Sequence, residues 1–124
     1  MRNSAFNPMN NKPSRYWVGI VAVVSALGFV AVVLGLQLVQ PDYQPRYQLM
    51  SELALGRYGW AMLFAFLFLA LSIFAIQVGI ATLSSSPALR VILLMTSLCF
   101  TGAGIFRLGP ATELHILFMA IAFI

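Results

Sequence analysis

Charge is what this 124-residue sequence has least of: Lys, Arg, Asp and Glu together make up 8% of it, against about 25% in a soluble domain. Too little polar surface exists for the chain to face water on all sides. With 61% hydrophobic residues, gathered in blocks rather than spread at a helical or strand period, and a mean hydropathy of +0.95, the solvent it matches is lipid. The length suits one helical bundle and not several domains.

Other scarcities exclude particular chemistries. The single cysteine, Cys99, lies inside an apolar run, so no intrachain disulfide forms and the redox compartment stays unread. A lone histidine, His115, is too few for a zinc site of the usual kind, and no metal or cofactor is expected. No G-x-x-x-x-G-K-[ST], H-E-x-x-H or G-x-G-x-x-G occurs, which argues against nucleotide use and common metalloprotease chemistry. Gly102 and Gly104 read instead as helix-packing glycines. The seven Lys/Arg, giving a net charge of +4, sit singly at the ends of apolar runs. There they anchor helices at a bilayer surface, and no basic face for nucleic acid is formed.

What remains is an all-α plan, a polytopic transmembrane helical bundle. Residues 1–15 form a polar tail, rich in Asn and Pro and carrying Arg2, Lys12 and Arg15; residues 16–124 form the membrane domain. The first run, Trp17 to Val39, has 23 uncharged residues. It is too long for the core of a cleavable signal, about 7–15 residues, and is read as a retained anchor. Ala22 and Ala26, and separately Ala31 and Gly35, make small-xxx-small pairs that admit a neighbouring helix, self-association included. In the second run, about 60–83, Ala61, Ala65, Ser72, Ala75 and Gly79 share one face, interrupted by Phe68. That face should meet other helices, while Phe64, Leu67, Leu71, Phe74 and Val78 should meet lipid. Gln77 lies off the small face and is expected to bond to another helix.

After the turn at Ser84, Ser85, Ser86 and Pro87, the third run, about 89–106, is the least bulky and is expected at the centre of the bundle. Arg90 and Arg107 bracket it as interfacial anchors. Gly109-Pro110 reads as a turn opening the next helix. The fourth run, 114–124, covers 11 residues, roughly 16 Å or half a bilayer. The plan is therefore three full spans plus the start of a fourth, expected to be the front part of a longer protein.

Counting spans puts three tail cations and Arg90 on one side, and Arg46, Arg57 and Arg107 on the other. The positive-inside rule then assigns a cytoplasmic N-terminus in a cell membrane. Asp42, Glu52, Glu113 and His115 all fall at the opposite end, the extracytoplasmic face. There Ser51, Glu52, Arg57, Arg107, Glu113 and His115 are expected to converge, with Asp42 nearby, as a polar cluster able to take a lipid headgroup or another small ligand. Each also has an ordinary reading. Glu113 complements a helix dipole, Glu52 and Arg57 suit a weak surface pair, Arg107 is an anchor, and Asp42 suits a turn beside Pro41. Ser51 lacks the G-x-S-x-G setting of a nucleophile. Glu113 and His115 are two apart and share no helix face, but an ionisable group near a membrane core is costly and so invites a functional reading for His115.

The central loop running into the second helix, PDYQPRYQLMSELALGRYGW, and the later GAGIFRLGPATELHILF resemble the domain-of-unknown-function 998 family of membrane proteins. The likeness rests on Asp42, Ser51, Glu52, Leu53, Gly56, Gly59, Gly104, Phe106 and His115 and covers about residues 17–124. It implies a bundle of about six helices, of which this chain holds the N-terminal part, and no assigned activity. Where family members often carry Phe-Pro and an acid after the third helix, this chain has Phe106-Arg107-Leu108, which weakens an acid-centred site there. Three functions stand as expectations. The first is an integral membrane protein of unassigned activity with a structural or ligand-binding polar end. The second is a membrane-embedded enzyme on lipid headgroups, with His115 as acid/base and Glu52 or Glu113 as partner. The third is a small-molecule transporter.

Overall fold

A computed structural model describes residues 12–83 and 86–124. It has four helices in chain order: α1 (Lys12–Val39), α2 (Ala61–Ala81), α3 (Pro87–Ile105) and α4 (Thr112–Phe123). A 3₁₀ helix, Met50–Leu55, lies between α1 and α2, and there is no strand among the described residues. The first three α-helices are long and apolar enough to cross a membrane, while α4 has 12 residues. Lipid leaves a spanning segment no water to bond to, so each run satisfies its backbone internally, as a helix.

The helix ends move from where the apolar runs stop. α1 begins at Lys12, not Trp17, because Pro13 is tolerated in a first turn whose N–H groups have no partner anyway. Ser86 caps α3 by accepting the Leu89 N–H at 3.5 Å, and Pro87 takes the first helical position. The stretch 1–11, expected as most of the polar tail, lies outside the described residues, as do Ser84 and Ser85 of the turn.

The helices form an open row. α2 packs on α1 and α3, and α3 on α2 and α4, while α1 touches neither α3 nor α4. The central place expected for α3 is thus shared with α2. Two buried serines pin the row together. Ser72 Oγ donates to the Ala22 carbonyl of α1 at 2.8 Å, and Ser97 Oγ donates to the Ala70 carbonyl of α2 at 2.9 Å. Gln77, expected to bond across helices, makes no such bond among the described residues. Ala65, Ser72 and Ala75 are buried, and Phe64, Leu67, Leu71, Phe74 and Val78 face outward, as the small and bulky faces of α2 imply.

On α1 the packed face differs from one expectation. Ala22, Ser25, Val33 and Leu36 are buried, whereas Ala31 is exposed and a Cβ placed on Gly35 would meet nothing within 4 Å. The buried set falls at successive spacings of three, eight and three, which keeps it on one helix face, and it carries α1 onto α2. The Ala31–Gly35 pair lies off that face. Closer approach occurs at Gly28, where an added Cβ would stand 3.2 Å from the Phe68 ring.

At α3 the small residues serve two neighbours. A Cβ on Gly104 would stand 2.9 Å from Phe66 Cβ of α2, and one on Gly102 would stand 2.7 Å from the Phe118 ring of α4. Here the lack of a side chain allows both helices in.

Candidate functional site

The α1–α2 and α3–α4 connections emerge at the same end of the row, and both are folded against it. In the first, Leu53 of the 3₁₀ helix is fully buried and joins Val33, Leu36, Met62 and Phe66 in the main apolar cluster. Gln40 Nε2 donates to the Leu53 carbonyl at 3.2 Å. Glu52 closes the helix start reciprocally: its carboxylate accepts the Leu49 N–H at 3.2 Å, and its own N–H donates to the Leu49 carbonyl at 2.9 Å. A side chain on Gly59 would collide with the Ala54 carbonyl, so the chain passes there only as glycine.

The second connection is set by Gly109, whose φ of 105° favours glycine, and by Thr112. The Gly109 N–H donates to Thr112 Oγ1 at 3.1 Å. α4 then starts so that His115 turns back against α3. Its Nδ1 lies 2.8 Å from the Ala103 carbonyl and 3.1 Å from the Phe106 carbonyl. Both are acceptors, so Nδ1 carries the hydrogen and serves oxygens that the end of α3 leaves without intrahelical partners. The Phe66 ring and the imidazole pack in a T-shaped pair at a centroid distance of 5.5 Å and an angle of 74°.

In the tautomer with Nδ1 donating, Nε2 is an acceptor. It is buried and has no hydrogen-bond partner, on a residue only 2% exposed. His115 lines a half-open groove of about 510 Å³. Leu49, Met50 and Ser51 of the first connection form one wall, Phe66 and Leu108 another, and Ile116, Met119 and Phe123 of α4 the rest. The groove is apolar save for the imidazole and Ser51. Its volume is that of a site for a small ligand.

The expected convergence of polar residues resolves into three places. Ser51 and His115 share the apolar groove. Asp42, Glu52 and Arg57 border a polar pocket of about 410 Å³ with Gln40, Tyr43 and Gln48. Arg57 and Arg107 border a third pocket, of about 300 Å³. Glu113 is exposed in the first turn of α4 and lines none of the three. No ion pair joins Glu52 to Arg57; instead the guanidinium of Arg57 stands 5.6 Å over the Tyr58 ring. Burial, and secondly the Glu52 carboxylate, hold the Tyr43 phenol above its ordinary value.

Neither proposed acid partner meets the imidazole: Glu52 is engaged with Leu49 and Glu113 faces outward. Among the described residues no three His, Cys, Asp or Glu side chains gather as metal ligands would. Sequence reasoning did not reach Phe66, Leu108 or Met119 as groove walls. Only the return of α4 onto α3 brings them to His115.

No curated protein and no solved structure matches the chain. A family model does, over residues 23–124, described as a protein of unknown function, DUF998. That span takes in the first connection with Ser51, the glycines of α3 and the whole of α4 with His115, so the chain belongs to the DUF998 family of proteins of unknown function.

Proposed function

We propose that this membrane protein binds an amphiphile in the groove at His115, accepting a hydrogen bond from the ligand's hydroxyl at Nε2 while the apolar walls hold its chain. One observation carries the reading: a buried nitrogen without a hydrogen-bond partner, on a residue that lines an otherwise apolar groove. Leaving such a group unpaired costs about 1–3 kcal/mol, and a ligand hydroxyl removes that cost. Ser51 Oγ, in the same groove, supplies a second polar contact. By the positive-inside count the groove opens on the extracytoplasmic face of the cell membrane, with the N-terminus cytoplasmic.

His115 is the only histidine of the chain, which makes the test direct. Full-length protein labelled with ¹⁵N-histidine in bilayers is titrated with monooleoylglycerol and, separately, with methyl oleate, which has no hydroxyl. The Nε2 resonance should shift with the first and not the second, while the Nδ1–H signal persists. An Nε2 resonance indifferent to both lipids at saturating mole fractions sinks the proposal.

A lipid-headgroup enzyme is the second reading, and the presence of Ser51 and His115 in the lining of one groove favours it. Base catalysis would use the same Nε2 lone pair, held in orientation by the Ala103 and Phe106 carbonyls rather than by a carboxylate. Turnover of monooleoylglycerol that is lost in Ser51→Ala separates this reading from binding alone.

A further inference from the structure

The pocket bordered by Arg57 and Arg107 is separate from the His115 groove. It lies where the start of α2 meets the α3–α4 connection, with Gly56, Gly59, Trp60 and Gly109 among its walls. Asp42, Glu52 and Glu113, the three acids of the chain, do not line it. No carboxylate among the described residues forms an ion pair with either guanidinium. Both arginines thus border one space of about 300 Å³ whose own lining holds no carboxylate, while Arg57 also borders the neighbouring pocket of Asp42 and Glu52.

We propose that this pocket is a binding site for a phosphate group, held by Arg57 and Arg107 at the membrane surface. The fork of a guanidinium matches phosphate oxygens two at a time, and two such forks suit one phosphate better than they suit each other. Stacking on Tyr58 restrains Arg57 before any ligand arrives. Trp60, 58% exposed at the start of α2, marks the headgroup level of a bilayer, the depth at which lipid phosphates lie. Glycines at positions 56, 59 and 109 among its walls add no side chain to the space. The phosphate of an anionic phospholipid and free inorganic phosphate share this chemistry.

Full-length protein is exchanged into mixed micelles, and retained lipid is read by native mass spectrometry with phosphatidylglycerol, with phosphatidylcholine, and with phosphatidylglycerol plus millimolar inorganic phosphate. Arg57→Gln/Arg107→Gln should lower phosphatidylglycerol retention by about tenfold or more, while Arg46→Gln, a surface cation outside the pocket, leaves it unchanged. Displacement by inorganic phosphate identifies the free ion as the ligand, and its failure to displace identifies the headgroup; either outcome supports a phosphate site. Equal retention by wild type and the double variant, with no ³¹P line broadening of inorganic phosphate by the wild type, overturns it. Circular dichroism verifies that the double variant is folded. None of these signals passes through His115, so this site and the groove fail independently.

Discussion

The two ends of the helix row treat their polar groups differently. At the α2–α3 turn they are used locally. Thr82 Oγ1 donates to the Gly79 carbonyl at 2.7 Å, Arg90 Nη2 donates to the Ala81 carbonyl at 2.7 Å, and Ser86 receives the Leu89 N–H. These bonds close helix ends, and the cation stands where the dipole of α2 favours it. At the other end the caps are made across the fold, by Gln40 on Leu53 and His115 on α3, and one buried imidazole nitrogen remains over. An end that spends its polar side chains on its own turn is a structural end. The end that keeps a buried polar atom unspent is the one to which both proposed sites belong.

The largest expected break of this contrast is at Gly59. Gly59→Val drives a branched side chain into the Ala54 backbone carbonyl, which cannot rotate aside. The first connection should detach, lowering stability by several kcal/mol, on the order of 3 or more. Denaturant titration in mixed micelles, together with loss of the monooleoylglycerol effect at Nε2, reads it.

Gly104→Ala probes the shared interior rather than either end. Its methyl would meet Phe66 Cβ, a position fixed by the backbone of α2, at a cost of about 1–3 kcal/mol. A lower midpoint of thermal unfolding in detergent, with lipid binding merely weakened in proportion, is the expected result.

Setting the cap at one end against a helix–helix pin in the interior sharpens the comparison. His115→Ala strips the Nδ1 donor from two carbonyls and should cost about 1–3 kcal/mol. Ser97→Ala, which removes a helix–helix pin, should cost nearer the roughly 0.6 kcal/mol typical of such bonds in membranes. Equal losses in the same unfolding assay would show that the imidazole is no more than another pin.

The smallest effect is on Tyr43. Because its folded-state phenol titrates above the ordinary value of 10.0, the folded form holds its proton longer than the unfolded one. Its contribution is fully present below about pH 10 and is lost as pH rises through the raised folded value. Tyrosinate absorbance should show Tyr43 ionising late, and Glu52→Gln should bring it partly back.

Much of the fold was legible because hydrophobic length leaves little choice in lipid: runs such as Trp17 to Val39 must become helices, and the bulky face of α2 must turn outward. The 3₁₀ helix was not legible. MSELAL has no long apolar period, and it is held by the burial of Leu53 and the reach of Gln40 from 13 residues away. The Ala31–Gly35 pair did not mark the face of α1 that docks on α2, for a related reason. Small residues permit close approach, but Val33 and Leu36 on another face of α1 decided which face docks. At the site, the sequence placed His115, Ser51, Arg57 and Arg107 at one end without sorting them.

By itself the sequence determined the solvent, the number of long apolar helices and the end at which the acids and the histidine gather, since each comes from hydropathy and the parity of crossings. Tertiary structure alone decided that Nδ1 of His115 is taken by α3 and Nε2 is left over, and that Arg57 shares one pocket with Arg107 and another with Glu52 without an ion pair to it. Those outcomes depend on how two connections fold onto one end of the row. Contacts made across α3, α4 and the central loop set them, and no local spacing encodes such contacts.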